Sequence, residues 1–576
     1  MRTIPMSKFA ALLGALLLAA AQRPYALSAL HEKLLQPPFP VQAAQSLSAA
    51  GATELRGIIQ SGHLPDLRWP NFTDYRVHVG NFYQSTGESL AWIRAMRPTQ
   101  QAQILIQLLE EADDKGLHQD DYDGFRWAGR LAKFQSSPSE SDVVHFDVAL
   151  TICVMRYVSA LHVGRVNPSH LGFELDSGRK KYNLPELLRL RLMDVSDPKL
   201  ALAEIEPPFA GYYRAQDALR RYIELSRQDD GEKLPETKTL VDPGETYVSV
   251  ARLARLLKLL GDLPAGVNVS ADNNSYQGVL VDAVKRFQAR HGLETNGRIG
   301  PQTIKQLNTP LRDRILQLQL TLERWRWLPA RFSEPPVIVN IPEFRLRALD
   351  AKNQIALSMN VVVGKSFERF QTPVFDEGMK YVVFRPYWNV PPSIQRNEIV
   401  PAVVKNREYL AKNQFEVVTP GGQLVTDSNV SDEVLAGLRA GKFMIRQKPG
   451  PKNSLGLVKL IFPNAHNVYL HSTPAQELFS RSRRDFSHGC IRVEEPAELT
   501  AWVLRENPGW SLERVREAME SGKDNAQVNL TRPIPVIILY GTAVVPETGD
   551  VEFFDDIYGH DATLKKALAK GYPYPN

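Results

Sequence analysis

The hydrophobic period of this chain changes near residue 336. Upstream, apolar residues recur every three or four positions. Downstream, they fall in short alternating runs broken by glycine and proline. The first pattern lines one stripe of a helix, the second one face of a strand. A 576-residue chain that switches this way predicts a multidomain α+β protein, helical first and mainly β afterwards.

Residues 53–235 read as a helical scaffold domain. Thr99 is an N-cap candidate for a helix carrying Ala102, Leu105 and Leu109. Further helices are expected over about 143–162 and 212–226. No catalytic constellation stands out in this block. A polar stretch from Asp229 to Pro235 reads as a linker. Residues 243–308 form a compact three-helix unit, with Gly261 and Gly292 as helix stops and Pro301 near the third start. So thin a core must lean on its neighbours. His291, just before Gly292, reads as a helix-end residue rather than a metal ligand. Another helix over 310–330 ends in Trp325-Arg326-Trp327.

The β region, 336–545, has strand-like runs at 337–341, 344–348, 359–363, 381–384, 458–462, 468–471 and 534–540. Short strands with glycine and proline turns suggest a sandwich or open barrel. Residues 395–456 interrupt it with helices over 397–410 and 431–440 and with Gly421, Gly422 and Gly441. This stretch reads as an inserted lid, and 546–576 as a C-terminal extension.

Residues 1–21 read as a signal peptide: Arg2 and Lys8, an apolar run from Phe9 to Ala20, then small residues. The run is too short to span a bilayer comfortably, and no later stretch is expected to be apolar enough. A periplasmic protein, peripheral to the envelope, is expected. The formal charge of +5 falls to +3 without Arg2 and Lys8. That is too weak to argue for nucleic acid. Of the two cysteines, Cys153 sits in an apolar helical run and reads as a buried small hydrophobe.

Cys490 stands in Ser487-His488-Gly489-Cys490-Ile491-Arg492, nineteen residues after His471. A thiol near an imidazole is the pattern of an activated nucleophile. Alternation puts Tyr469 and His471 on one strand face. Gly489 allows close backbone approach, and the amides around Gly489 and Cys490 can serve as an oxyanion hole. A rival reading gathers His471, His488 and Cys490 around a metal. It lacks a fourth ligand, its spacing matches no zinc signature, and neither metal nor cofactor is expected.

His471 with Ser487-His488-Gly489-Cys490-Ile491-Arg492 resembles the signature of the L,D-transpeptidases, which have a YkuD-type catalytic domain. Glu323-Arg324-Trp325-Arg326-Trp327, Tyr387-Trp388-Asn389-Val390-Pro391 and Asp555-Asp556-Ile557-Tyr558-Gly559 resemble that family's large periplasmic branch. Val284-Lys285-Arg286-Phe287-Gln288-Ala289-Arg290-His291-Gly292 resembles a peptidoglycan-binding domain. The resemblance implies a cysteine acyltransferase acting on peptidoglycan stem peptides. Cys490 would be the nucleophile and His471 the general base and acid. The Ser472 carbonyl would orient His471, and the Gly489 backbone would serve the oxyanion. Ser487, His488, Arg492, Tyr469 and Trp388 would contact substrate. The product would be a 3→3 cross-link, and carbapenems would inhibit covalently. An L,D-carboxypeptidase, lipoprotein attachment and a non-catalytic wall-binding scaffold remain open on this reading.

Overall fold

The computed structural model describes residues 46–175, 180, 182–237, 239–270, 274–426, 430–572 and 574. The expected signal peptide lies outside them. The chain divides into two compact units. The first gathers described residues up to Asp113, with 117–162 and 182–206. The second gathers 114–116, 163–175, Lys180 and described residues from Pro207 onward.

The first unit is helical and centred on Glu140–Val163. By length and composition this helix could cross a membrane, which corrects the expectation that no later stretch could. Most of its apolar stretch is buried among Leu105, Leu109, Phe82 and Trp92, as befits a helix apolar all round. One carboxylate inside it organises the unit. Asp147 accepts from the Trp92 amide (2.7 Å), the Ala91 amide (3.1 Å) and the Tyr83 hydroxyl (2.6 Å). Burial raises its pKa to about 6 against those bonds. Cys153 is buried and free.

The helix Ala210–Gln228 falls in the second unit, although the sequence grouped it with the scaffold. Its buried face, Tyr212, Ala215, Leu219 and Tyr222, shares a core with Leu318 and Leu322 of the helix Leu311–Trp327. Glu323 on that helix is fully buried and accepts from the Val166 amide at 3.1 Å. The helices Val250–Leu259, Val279–Ala289 and Pro301–Leu307 pack around Leu253, Val284, Phe287 and Ile304. His291 is buried, stacks on Phe287 (3.8 Å between centroids) and has Nδ1 2.7 Å from the Phe287 carbonyl. The C-terminal segment covers this small unit, with Phe553 5.8 Å from His291 and 4.7 Å from the Arg314 guanidinium.

Among the described residues, the β region contains nine strands in one sheet: β1 (Val337–Asn340), β2 (Arg345–Leu349), β3 (Ile355–Gly364), β4 (Phe375–Phe384), β5 (Val458–Ile461), β6 (Leu470–His471), β7 (Asp485–Ser487), β8 (Ile491–Val493) and β9 (Ala526–Leu539). The spatial order is β7-β3-β8-β6-β5-β4-β9-β1-β2, and β2 also pairs with β3. That extra pairing closes a ring, so the sheet is a closed barrel rather than the expected sandwich or open barrel. Closure removes the free edges that an open sheet would leave. β7 adds to the end of β3 in parallel. Between β4 and β5 the insertion carries its expected helices, including Val400–Lys405 and Asp432–Arg439. It also holds a four-stranded sheet from Trp388–Asn389, Phe415–Val418, Leu424–Thr426 and Met444–Gln447.

Asp147→Ala should strip the Ala91 and Trp92 amides of their buried acceptor, at a cost of about 3 kcal/mol. Hydrogen exchange of those two amides reads this directly, and unchanged protection would contradict it.

Candidate active site

β6 is two residues long and lies between β5 and β8. It pairs in parallel with β8, placing Leu470 opposite Ile491 and His471 opposite Arg492. It pairs antiparallel with β5, placing Lys459 opposite His471. Residues two apart on a strand share a face. Lys459, Tyr469, His471 and Arg492 therefore stand on one sheet face, and Cys490, two before Arg492, joins them at the edge of β8.

The loop ahead of Cys490 is held from several sides. Gly489 adopts φ +117°, a conformation that disfavours any side chain. Its amide donates to Ser487 Oγ (3.1 Å), and Ser487 Oγ–H donates to the Cys490 carbonyl (2.5 Å). Two expectations change here. The Gly489 amide is engaged within the turn, so it does not point at an oxyanion. Ser487 is buried and clamps the turn, so it does not face substrate. The Gly489 carbonyl accepts from Thr372 Oγ1 (2.8 Å), which also accepts from the Gly364 amide (2.9 Å). The Thr372 amide donates to the Tyr558 hydroxyl (3.3 Å), so the C-terminal extension braces the loop.

His471 is buried, with Nδ1 2.6 Å from the Ser472 carbonyl. A carbonyl only accepts, so the proton sits on Nδ1 and Nε2 is left as the basic nitrogen. Burial drives the His471 pKa down to about 3, and the Arg492 charge adds to that; the Ser472 and Leu455 backbone oppose it. Burial also pushes the Cys490 thiol up, against hydrogen bonding from Tyr469 and the charges of Arg492 and Lys459. The resting pair at neutral pH is thus a thiol and a neutral imidazole. The thiol lies 3.6 Å from the Asn467 carbonyl.

His488 turns away from this pair. Its Nε2 is 2.8 Å from Glu398 of the insertion, and its ring meets Phe370 edge-on at 4.7 Å. Trp388 packs in the insertion, 6.1 Å from Phe415 between ring centroids. Of the loop arginines, Arg484 is buried and donates to the Val361 and Phe344 carbonyls, and Arg483 pairs with Asp485 (2.7 Å). Arg481 is exposed, with its guanidinium 5.5 Å from the Phe486 ring. Among the described residues no group of three His, Cys, Asp or Glu is gathered as for a metal. Lys459, Thr372 and Glu398 were missed from sequence. Each lies in a different segment from the motif, and only the barrel brings it there.

The geometry agrees with what sequence comparison finds. Residues 335–538 match the L,D-transpeptidase catalytic domain. They belong to that catalytic-domain family. Residues 247–307 match a putative peptidoglycan binding domain, and 78–219 a scaffold domain. A protein of Haemophilus influenzae named "Putative L,D-transpeptidase" is 28% identical over 251 residues, 44% of this chain and 49% of the relative. The match thus spans about half that relative's length. A solved structure titled as a fused Zn-dependent amidase/peptidase/peptidoglycan-binding domain-containing protein from Clostridium acetobutylicum is 12% identical. It covers 53% of this chain and all of its own, with a TM-score of 0.15, too low to bear on the fold. In the L,D-transpeptidase domain, His471, Ser472, Gly489, Cys490 and Arg492 gather around one short strand pair, while Trp388 belongs to the insertion.

If the resting pair is neutral, alkylation of Cys490 by iodoacetamide should keep accelerating above about pH 9, the ordinary range for a thiol. No rise should appear near the ordinary histidine value of about 6.5. A plateau reached below neutral pH would mean a preformed thiolate–imidazolium pair instead.

Proposed function

We propose that the chain is an exported L,D-transpeptidase that forms 3→3 cross-links in peptidoglycan. One observation carries this reading: His471 lies on β6, and Cys490 immediately precedes β8, the parallel partner of β6, inside a domain of that family. The Cys490 Sγ–H proton passes to His471 Nε2 as sulfur attacks the meso-diaminopimelate carbonyl of a donor tetrapeptide. The carbon–nitrogen bond to D-alanine breaks, and His471 returns the proton to the leaving amine. A thioester remains on Cys490. The side-chain amine of a second stem attacks it, His471 takes the amine proton, and sulfur leaves as the cross-link forms.

The Ser472 carbonyl holds His471 in the tautomer this requires. The Cys490 amide, in place of the engaged Gly489 amide, is the donor assigned to the oxyanion. Arg492 and Tyr469 line the acyl site, and Arg492 suits a substrate carboxylate. A thioester reacts with an amine in preference to water only where water is scarce, and the insertion, held by Glu398 to His488, serves that exclusion. The peptidoglycan-binding-like unit supports action at the cell wall, in the periplasm, and carbapenems are expected to acylate Cys490.

Intact-mass analysis with a disaccharide-tetrapeptide donor and a second stem as acceptor tests the reading. The expected result is a donor adduct on Cys490 and a 3→3 dimer. Cys490→Ala should lower turnover by about 10⁴-fold or more with the fold intact. His488→Ala should cost less than His471→Ala. Release of tripeptide without dimer would make the protein a carboxypeptidase, and an adduct on Cys490→Ala would refute the nucleophile assignment.

A further inference from the structure

When the thiol of Cys490 loses its proton, a negative charge appears on a half-buried sulfur. His471 then carries a positive charge that the site disfavours, because burial, Arg492 and, least of the three, Lys459 oppose it, so any gain from the cations falls on the sulfur side. Something else must favour the separated charges during attack. The groups that act on the sulfur are Lys459 from β5, Tyr469 just ahead of β6, Arg492 from β8 and the Asn467 carbonyl, with His471 opposite Arg492 on the same sheet face. His488 sits in the same loop but engages Glu398, and Glu477 is coupled to Arg492.

Lys459 is the unassigned member of this set. Its neighbours Val458 and Leu460 point into the barrel core, so β-alternation sends its side chain to the opposite face. There it stands across the strand pair from His471, with Nζ 6.0 Å from the centre of the Tyr469 ring. Tyr469 is in turn the thiol's hydrogen-bonding neighbour. The ammonium is half-buried, and burial lowers its pKa. Among the described residues the charged group it couples to is the Cys490 sulfur, not a carboxylate. A partly desolvated lysine without an acidic partner is costly unless an anion forms beside it.

We propose that Lys459 is a thiolate-stabilising residue, whose ammonium offsets the charge that develops on Cys490 across the β5–β6–β8 face. This rests on reading Cys490 as the nucleophile. Lys459 forms no bond to substrate in this role; it acts through the sulfur.

The test is alkylation of Cys490 over about pH 6 to 10, followed by intact mass and peptide mapping to separate it from buried Cys153. The probes are neutral iodoacetamide and anionic iodoacetate; the proteins are the wild type, Lys459→Met and Lys459→Arg. Lys459→Met should slow the neutral reagent about threefold at pH 7 and move its alkaline limb upward, because lost thiolate outweighs the gain in intrinsic nucleophilicity. Lys459→Arg should restore the wild-type profile. Lys459→Gln covers the case in which Lys459→Met fails to fold. Slowing confined to iodoacetate would mean that Lys459 attracts anionic reagents, and would overturn the proposal. An equal loss in Lys459→Arg and Lys459→Met at unchanged melting temperature would overturn it as well. Failure of wild-type Cys490 to alkylate at any pH would instead remove the nucleophile reading on which the proposal stands.

Discussion

The candidate active site depends on the parallel pairing of two very short strands, β6 and β8. Neither is long enough to hold register by itself. β5 on one side and β3 on the other fix it, and the closed ring leaves no room to slide. A slip of one residue would turn His471 or Arg492 to the opposite face and separate the imidazole from the thiol. The barrel core of Val361, Leu460, Leu470 and Ile491 therefore sets the chemistry as well as the stability. It forces the alternate residues, Lys459, Tyr469, His471 and Arg492, to converge.

That convergence sets the electrostatics. A buried histidine beside an arginine stays neutral, and a thiol in a crowded site stays protonated. In the proposed mechanism, charge is then created only during attack, when the proton moves from sulfur to Nε2. In that mechanism the Ser472 carbonyl takes the place of the carboxylate of a Ser-His-Asp triad, fixing the ring's tautomer, but it adds no full negative charge. The imidazolium is consequently less favoured than in a triad. The nearby cations shift the balance on the sulfur side instead. The loop is braced for the same end: Ser487 closes the turn, and Thr372 holds the Gly489 carbonyl.

Much of this was legible in the sequence because it is local. The change of period near residue 336 and the helix stops at Gly261 and Gly292 follow from adjacent residues. What was not legible comes from distant pairing. β7 and β8 flank Cys490, yet they are three residues each, too short to show a strand pattern. Barrel closure depends on β2 meeting β3, which no pattern within either run states. Arg484 is buried through partners far away in sequence, the Val361 and Phe344 carbonyls.

The central claim is that His471 rests neutral, protonated on Nδ1, beside a protonated thiol. Nitrogen-15 chemical shifts of His471 in the folded protein, followed from about pH 5 to 9, test it most directly, because an unperturbed histidine would titrate within that window. The account predicts a neutral ring with Nδ1–H throughout. An imidazolium at neutral pH that loses its proton only as Cys490 titrates would contradict it.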